Sequence, residues 1–348
     1  MQSIKSIALC AAMLAGLAAC TSSAPDPGTE GDGDFSIGPD YTNAPELTVR
    51  PGVPTGTVHE FTMNSADSKI YPGIKPFTNV ANLPRDPFGN RLALPAAGGA
   101  TNAPYARRVW VYVPSQYVPG TAAPFLVVQD GGSYRARLVP ILDNMIAARR
   151  LPALVAIMID SGGGDAQGSQ RGLEYDTVSG RYAEFIEKEV LPRISRDYRI
   201  TFTRNPDGRA AMGGSSGGAA AFTMGWFHPE LYHRILTYSG TFVNQQSPLD
   251  PEFPHGAWEY HDHLIAQSAR KPLRIWMQVG ENDNHSRDPE STFHNWVLAN
   301  QRMAAALQAR GYHCQFLFCK GAGHVDGRAV AQTLPGALAW LWRGCPVK

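Results

Sequence analysis

The sequence predicts an α/β protein, with a mostly parallel central sheet and helices on both of its faces. Three observations predict this class. Short apolar runs of strand length recur along the chain, helix-like segments separate them, and 35 Gly and 27 Pro in 348 residues supply the turns between them. Strands that are apolar along their whole length are typical of a parallel sheet that is covered on both faces.

The strand-like segments are recognised by composition and periodicity. Residues 125–129 (FLVVQ) and 153–159 (ALVAIMI) are short and almost wholly apolar, as buried parallel strands are. Residues 107–113 (RRVWVYV) show an alternating pattern that predicts another strand. The remaining strand candidates are residues 58–63, 209–213, 234–238, 273–279 and 314–318.

Helix-like segments lie between these strands. Residues 182–194 have helical spacing, and Glu184, Glu187 and Lys188 fit the side that faces water. The other predicted helices are residues 219–226, 296–308 and 328–342. Residues 64–104 are rich in Pro, Asn and Gly, so we expect loops near the first strands there and not a separate domain.

Composition excludes two classes of protein. The chain has 31 Lys and Arg against 30 Asp and Glu, which argues against a nucleic-acid binder because phosphate contacts require a surplus of basic residues. A hydrophobic content of 43% is too high for a disordered chain. We therefore expect a folded protein whose partners do not include nucleic acid.

The first residues of the chain predict an export signal. Lys5 supplies a positive start to residues 1–19, and residues 7–17 form an apolar run that is too short to span a bilayer. The run ends in Leu-Ala-Ala-Cys20, which resembles a bacterial lipobox. This resemblance implies that Cys20 is lipidated, and Thr21 after it implies sorting to the outer membrane. The alternative is an ordinary signal peptide that is cleaved just before a chance cysteine.

The segment that follows the signal has the composition of a linker. Residues 20–50 are rich in Gly, Pro, Asp, Thr and Ser, so we expect a flexible tether there. Residues 51–348 are expected to form the folded domain. These boundaries predict an exported domain that is lipid-anchored to the bacterial outer membrane.

Three cysteines lie in the predicted domain. Cys314 begins a strand-like run, and Cys345 follows the last predicted helix. Because a helix that returns antiparallel to a strand ends near the start of that strand, we expect a Cys314–Cys345 disulfide, with Cys319 free. Three buried thiols are the alternative.

The segment that begins at residue 209 contains G-x-S-x-G between a strand-like and a helix-like run. In the α/β-hydrolases this pattern is the nucleophile elbow, a sharp turn at which only small residues fit two positions before and after the serine. The first N–H groups of the helix then lie beside the reacting oxygen. Two serines fit the spacing, Ser215 and Ser216.

A reactive serine needs a general base and a carboxylate that orients it. His324 follows the strand candidate at residues 314–318, in the small-residue loop Gly-Ala-Gly-His. Asp283 and Glu281 both follow the strand candidate at residues 273–279. Serine, carboxylate and histidine thus occur in the chain order of an α/β-hydrolase.

Several ordered motifs resemble the enterochelin esterase-like family of α/β-hydrolases, which includes esterase D and bacterial feruloyl esterases. Besides the elbow, they are VVQDGG (127–132), RYAEFIEKEVLP (181–192), GEND (280–283) and GAGH (321–324). The resemblance extends over roughly residues 105–343.

It implies that Ser215 is the nucleophile, Asp283 the acid and His324 the base. It also implies bulky ester substrates, such as siderophore lactones or aromatic acids esterified to sugars.

The oxyanion of a tetrahedral ester intermediate needs two N–H donors. We expect one from Ser216, the residue after the nucleophile. The other is expected from the loop after residues 125–129, first at Gly132 and then at Gly131. The family's usual His-Gly is Asp130-Gly131 here, which leaves the second donor open.

Three further side chains are expected to contact the substrate: Tyr134 on the oxyanion loop, Glu174 between a strand and a helix, and Trp296 after the acid loop. A structural hydrogen bond for Glu174 and core packing for Trp296 are the alternatives.

His261 and His263 could suggest a metal pair, but without other ligands at suitable spacing we expect a solvated loop. We expect neither a metal nor an organic cofactor.

Together these features predict a serine carboxylic-ester hydrolase that acts through an acyl-Ser215 intermediate on a small-molecule ester. Two alternatives are an acyltransferase of the same fold and a surface-binding lipoprotein that keeps the fold without turnover.

Overall fold

The protein is described by a computed structural model that covers residues 27–73, 104–164, 168–246 and 250–346. The strands are β1 (Gly33–Ile37), β2 (Thr57–Asn64), β3 (Ala106–Val113), β4 (Ala122–Ala123), β5 (Phe125–Gln129), β6 (Val155–Ile159), β7 (Thr201–Phe202), β8 (Arg209–Gly214), β9 (Arg234–Tyr238), β10 (Arg274–Gly280) and β11 (His313–Cys319). The helices are α1 (Gly131–Ala147), α2 (Gln170–Tyr175), α3 (Arg181–Phe185), α4 (Leu191–Tyr198), α5 (Ser216–Phe227), α6 (Ile265–Gln267), α7 (Trp296–Ala309) and α8 (Gly327–Leu341). Two π-helical segments, Ile186–Val190 and Tyr260–Leu264, lead into α4 and α6.

Nine of the described strands form one sheet in the order β1-β11-β10-β9-β8-β5-β6-β3-β2. The first seven strands of that order are mutually parallel, whereas β3 pairs antiparallel with both β6 and β2. A sheet of this topology with helices on both faces is an α/β-hydrolase fold, so the predicted fold class is confirmed. The parallel strands end at one edge of the sheet, where loops can assemble a site.

Alternate residues of the central strands point to opposite faces and build two cores. Val127 and Ile157 pack with α5 and α7 on one face, while Val128 and Met158 pack with α1 and α8 on the other. β5 and β6 are buried along their whole length, which is why their sequences are almost wholly apolar.

The structure differs from the expected tether at residues 20–50. β1 lies within that range and pairs in parallel with β11, from Gly33 opposite Gln315 to Ile37 opposite Cys319. The Tyr41 hydroxyl donates to the Lys320 carbonyl at 2.7 Å. β1 is short and largely exposed, so it has no apolar periodicity, and its ladder of backbone hydrogen bonds has no sequence signature. The predicted signal and Cys20 lie outside the described residues.

The Cys314–Cys345 disulfide is absent, and both residues are free thiols, as is Cys319. Cys314 packs in the core on the α5 face, whereas Cys345 packs against the core on the α1 face. The prediction was wrong because α8 lies over β9 and β10, not over β11. Its end therefore reaches the start of β9, where Arg234 donates to the carbonyl of Leu341.

The predicted loop at residues 64–104 lies mostly outside the described residues. α1 was not predicted, because it begins with two glycines and contains Pro140. In the described part of the chain, no helix combines the length and the apolar character that a membrane crossing requires.

Candidate active site

Ser215 occupies the turn between β8 and α5. Its backbone has φ 57° and ψ −131°, a conformation that an L-residue adopts only under constraint. A side chain at Gly213 would lie 2.4 Å from the backbone of Gly217, so both positions must stay small. The turn is held by its neighbour strand, because the Ser215 N–H donates to the Tyr238 carbonyl at 2.9 Å.

The two serines of the motif have different environments. Ser215 is partly exposed, and its Oγ lies 3.4 Å from Thr241 Oγ1. Ser216 is wholly buried as the first residue of α5, and its Oγ accepts from Gln245 Nε2 at 3.4 Å. The geometry therefore places Ser215, and not Ser216, at the strained turn that the elbow pattern requires.

Asp283 and His324 meet beyond the ends of β10 and β11. His324 Nδ1 lies 2.6 Å from Asp283 Oδ1, and the Asp283 side chain is fully buried, while a quarter of the imidazole is exposed. The Asn284 N–H also donates to Asp283 Oδ1 at 2.8 Å. The contact with Asp283 occupies Nδ1 of His324, so Nε2 is the ring nitrogen that can receive a proton from a serine.

Glu281, the alternative acid, is excluded by its position. It is exposed, and its carboxylate accepts from the Gly321 N–H at 2.7 Å, so it holds the histidine loop through the backbone. Of the two carboxylates after β10, only Asp283 contacts the imidazole.

The histidine loop lies beside the elbow. The Val325 N–H donates to Ser239 Oγ at 2.9 Å. A Cβ atom at Gly214 would lie only 2.9 Å from a methyl group of Val325, so the absence of a side chain at Gly214 lets the two segments approach. Thr241 provides the one hydrogen bond of Ser215 Oγ within the described residues. Serine–histidine hydrogen bonds are often long in ligand-free enzymes and shorten when substrate binds.

One of the predicted oxyanion donors has another acceptor. The Gly132 N–H donates to Asp160 Oδ1 at 3.0 Å, so Gly132 faces the end of β6 and is a poor candidate. The sequence analysis could not predict this hydrogen bond, because Asp160 follows β6 and is distant from Gly132 along the chain. Gly131, the second choice, is buried at the first position of α1, and Ser216 holds the first position of α5. First-turn N–H groups of a helix have no acceptor within that helix.

Asp130, which was not assigned a role from sequence, adopts the left-handed region with φ 52° and ψ 44°. Its carboxylate lies 2.7 Å from Arg171 Nη2 and 3.3 Å from the would-be Cβ of Gly217, beside the start of α5. Burial lowers the pKa of Arg171, but the hydrogen bond and charge of Asp130 outweigh it, and the pKa rises. Arg171 thus neutralises an anion next to the predicted oxyanion donors.

The predicted substrate contacts Glu174 and Tyr134 are buried. Glu174 is buried in a two-pronged ion pair with Arg107, at 2.6 and 2.7 Å, and also accepts from Tyr105 and Gln170. The structural role that the sequence left open as the alternative therefore describes Glu174 better than a substrate contact, because Arg107 reaches it from β3. The Tyr134 hydroxyl is buried beneath the elbow, 2.5 Å from the would-be Cβ of Gly214, and burial raises its pKa.

Trp296 packs against the predicted base. It is 3% exposed, and its ring meets the His324 imidazole edge to face, with centroids 6.0 Å apart. His285 stacks on it at 5.8 Å. Core packing, the alternative that the sequence left open, therefore describes Trp296 better than an open pocket wall.

The loop after β9 contributes a buried polar group that the sequence analysis missed. Gln245 Nε2 bridges Ser216 Oγ and Asp176 Oδ2, and Gln246 Oε1 accepts from the Val178 N–H at 2.6 Å. Within the described residues, Asn244 Oδ1 and Gln246 Nε2 are buried without a partner. Three consecutive amide residues, Asn-Gln-Gln, in the loop after a buried strand were the sequence feature that could have predicted this polar cluster.

The segment 261–263 also differs from expectation. His261 is buried, and its Nε2 lies 3.1 Å from the Phe242 carbonyl. The predicted solvated loop is instead the π-helical segment Tyr260–Leu264.

Known proteins of similar sequence and structure include esterases. A family model described as Putative esterase matches residues 101–341. The uncharacterized protein YbbA of Bacillus subtilis (strain 168) is 24% identical over 250 residues, which is 68% of this chain and 92% of that protein. The iron(III) enterobactin esterase of Dickeya dadantii (strain 3937) is 26% identical over 240 residues, 68% of this chain and 52% of that protein.

Solved structures share the fold at low identity. The enterobactin esterase of Shigella flexneri, crystallised in the presence of enterobactin, superposes with a TM-score of 0.52 at 22% identity, over 68% of this chain and 55% of that one. A ferulic acid esterase of Anaeromyces mucronatus, in complex with ferulic acid, gives 0.58 at 11% identity, over 88% and 98%. The chain spans about half the length of the enterobactin esterases that it matches. Since the family model covers more than half of the chain, this protein belongs to the esterase family described as Putative esterase.

Proposed function

We propose that this protein is a serine carboxylic-ester hydrolase that forms an acyl-enzyme on Ser215. The observation that carries the proposal is the 2.6 Å contact between Asp283 and His324, held beside a serine with a strained, partly exposed turn. Family membership supports ester hydrolysis as the reaction. The roles of the individual residues rest on their geometry.

In the first half of the reaction His324 Nε2 takes the proton of Ser215 as Oγ attacks the ester carbonyl carbon. The buried Asp283 carboxylate stabilises the imidazolium that forms. Collapse of the tetrahedral intermediate expels the alcohol, which receives that proton from His324, and leaves the acyl group on Ser215. In the second half His324 takes a proton from water as the water oxygen attacks the acyl carbon. Collapse of the second tetrahedral intermediate then breaks the bond to Ser215 Oγ, which receives that proton from His324, and the acid is released.

The negative charge of each tetrahedral intermediate needs fixed N–H donors. We assign these to Ser216 and Gly131, the first residues of α5 and α1. A lost donor of this kind costs about 10²–10³-fold in kcat. Arg171 keeps the nearby Asp130 from opposing that charge, since the two are paired at 2.7 Å.

The substrate is proposed to be a bulky ester that carries hydroxyl groups, of the siderophore-lactone or aromatic–sugar type. The buried amides of Asn244 and Gln246, each with an unpartnered polar atom within the described residues, lie in the loop that also carries Thr241, the hydrogen-bond partner of Ser215, and they support a polar ligand. Purified protein assayed on aryl, sugar and siderophore esters tests this. Hydrolysis restricted to simple short-chain aryl esters would contradict it.

Covalent labelling tests the nucleophile. A fluorophosphonate should label the wild-type protein and Ser216→Ala but not Ser215→Ala. Labelling that survives in Ser215→Ala and is lost in Ser216→Ala would reverse the assignment. Absence of any labelling or turnover would favour a non-catalytic surface lipoprotein. Transfer of the acyl group to added alcohols in preference to water would instead make the protein an acyltransferase.

We also propose that the chain is exported and anchored through a lipid on Cys20 to the outer membrane, at the periplasmic or the surface face. The lipobox-like sequence supports this, and it lies outside the described residues. Fatty-acid labelling in cells should be lost in Cys20→Ala. Equal labelling of that variant would contradict the proposal.

A further inference from the structure

A second cluster of histidine and carboxylate groups lies in the π-helical segment Tyr260–Leu264 and the residue before it. Glu259, Asp262 and His263 each turn one ligand atom toward the others, and these atoms lie within 4.8 Å of one another. We propose that Glu259, Asp262 and His263 bind one divalent transition-metal ion, with Zn²⁺ as the expected ion. The site is separate from the ester chemistry proposed above.

The distances suit a shared ion. His263 Nδ1 lies 3.1 Å from Glu259 Oε2 and 3.6 Å from Asp262 Oδ2. Zn²⁺ binds imidazole nitrogen and carboxylate oxygen at about 2.0–2.2 Å, which places neighbouring ligand atoms some 3–4 Å apart. An ion among these three atoms therefore needs only small side-chain movements.

The second oxygen of each carboxylate already has a partner. Glu259 Oε1 accepts from the backbone N–H of His255 at 2.9 Å, and the His255 ring nitrogen lies 3.0 Å away. Asp262 Oδ1 faces Arg302 at 3.7 Å. Groups that hold the far oxygen orient the near one, as the outer shell of a metal site does.

The burial of Glu259 is the second observation that points to a cation. Its side chain is 4% exposed, and within the described residues its ion-pair partners are two histidines, His255 and His263. A buried carboxylate is costly unless it is paired or coordinates a metal. A bound cation would supply positive charge to Glu259 in addition to the contacts with these two rings.

The donor set selects the class of ion. One imidazole and two carboxylates suit Zn²⁺ and similar d-block ions, whereas Ca²⁺ and Mg²⁺ prefer oxygen ligands alone. π-Helical turns are rare and occur frequently at functional sites. This turn brings Asp262 and His263 back over Glu259 within five residues.

The position suggests a supporting role. His261, in the same turn, contacts the Phe242 carbonyl at 3.1 Å, and Phe242 follows Thr241, the neighbour of Ser215. His255 stacks on Phe293 at 4.0 Å, and the Phe293 carbonyl accepts from the Asn244 N–H. An ion here would fasten the support of the loop after β9 and take no part in bond breaking.

The test is titration of the untagged, chelator-treated full chain with ZnCl₂ by calorimetry, and with Co²⁺ by visible absorption. We expect one Zn²⁺ per chain, d–d bands from Co²⁺, and a raised melting temperature with Zn²⁺. His263→Ala and Asp262→Asn should each weaken binding at least about tenfold. Both side chains are partly or largely exposed, so the variants should fold even where Glu259→Gln does not.

His228→Ala is the matched control, because His228 pairs with Glu230 at 2.7 Å on the surface outside the cluster. It should bind Zn²⁺ as the wild type does. Failure of the wild type to bind Zn²⁺ or Co²⁺ at millimolar concentration would overturn the proposal. So would unchanged affinity in both cluster variants, or binding of Ca²⁺ with no binding of Zn²⁺.

Discussion

The two ends of the parallel strands differ in backbone conformation. At the carboxyl edge Asp130, Ser215 and Ser239, at the ends of β5, β8 and β9, have φ values of 52°, 57° and 48°. At the amino edge Arg234 and Arg274, the first residues of β9 and β10, are extended and buried, and their side chains donate to carbonyls at the end of α8.

This difference separates reactivity from stability. Left-handed conformations of non-glycine residues cost roughly 1–3 kcal/mol each and persist only where the surroundings enforce them. At the amino edge Arg234 and Arg274 instead fasten the end of α8, the helix that follows the histidine loop. The comparison predicts that changes at the carboxyl edge remove activity, whereas changes at the amino edge remove stability.

The largest effect is expected at the strained turn. Ser215→Ala should lower kcat by about 10⁶-fold, since the nucleophile is lost, with little change in melting temperature. Turnover of an aryl ester and thermal unfolding measure the two quantities. Activity within tenfold of the wild type would remove Ser215 from the mechanism.

Asp283→Asn should have the next largest effect. An amide can hold the imidazole in the wrong tautomer and cannot stabilise its charged form, so kcat should fall about 10⁴-fold. Glu281→Gln is the matched control at the same loop and should keep most of the activity, because its contact is with the Gly321 N–H. Similar losses in both variants would contradict the assignment of the acid.

At the amino edge Arg234→Met should lower the free energy of unfolding by about 3 kcal/mol, because three carbonyls, one of them buried and two partly buried, each lose a hydrogen-bond donor. Those carbonyls belong to Asp207, Leu341 and Arg343. The kcat of the folded fraction should stay unchanged. Urea unfolding measures the loss, with the exposed Arg135→Met as control. A loss of kcat without a loss of stability would break the comparison.

The smallest effect concerns Asp326, the N-cap of α8. The hydrogen bond from the Arg328 side chain lowers the pKa of Asp326 from 3.8 to about 2, although burial opposes this. Its contribution is therefore complete above pH 4 and is lost as the pH falls through about 2. Asp326→Ala should cost about 1 kcal/mol at neutral pH and nothing below pH 2. A cost that is independent of pH would show that the charge is not involved.

What the sequence could predict was local. β5, β6, β9 and α7 were predicted nearly to their observed bounds, since each is apolar or periodic in its own right. The turn at Ser215 and the acid and base loops were predicted because motif and strand order coincide. The fold class and the esterase family, predicted from the same motifs, are confirmed.

The predictions that failed concerned residues whose contacts come from distant parts of the chain. The Gly132 N–H donates to Asp160, and the Glu174 carboxylate pairs with Arg107, so neither group has its predicted role. The predicted disulfide does not form because α8 packs over β9 and β10. Each outcome is fixed by a tertiary contact that leaves no local pattern. β1 was missed for the opposite reason, since an exposed edge strand needs little apolar character.

The position of β1 determines where the protein can be truncated without exposing a strand edge. It covers the outer side of β11, the strand that leads into the histidine loop. A truncation that starts at residue 51, chosen to remove a supposed linker, would leave β11 with unpaired backbone groups along that side. Bare strand edges recruit other chains, so such a fragment should self-associate, and recombinant versions should retain β1.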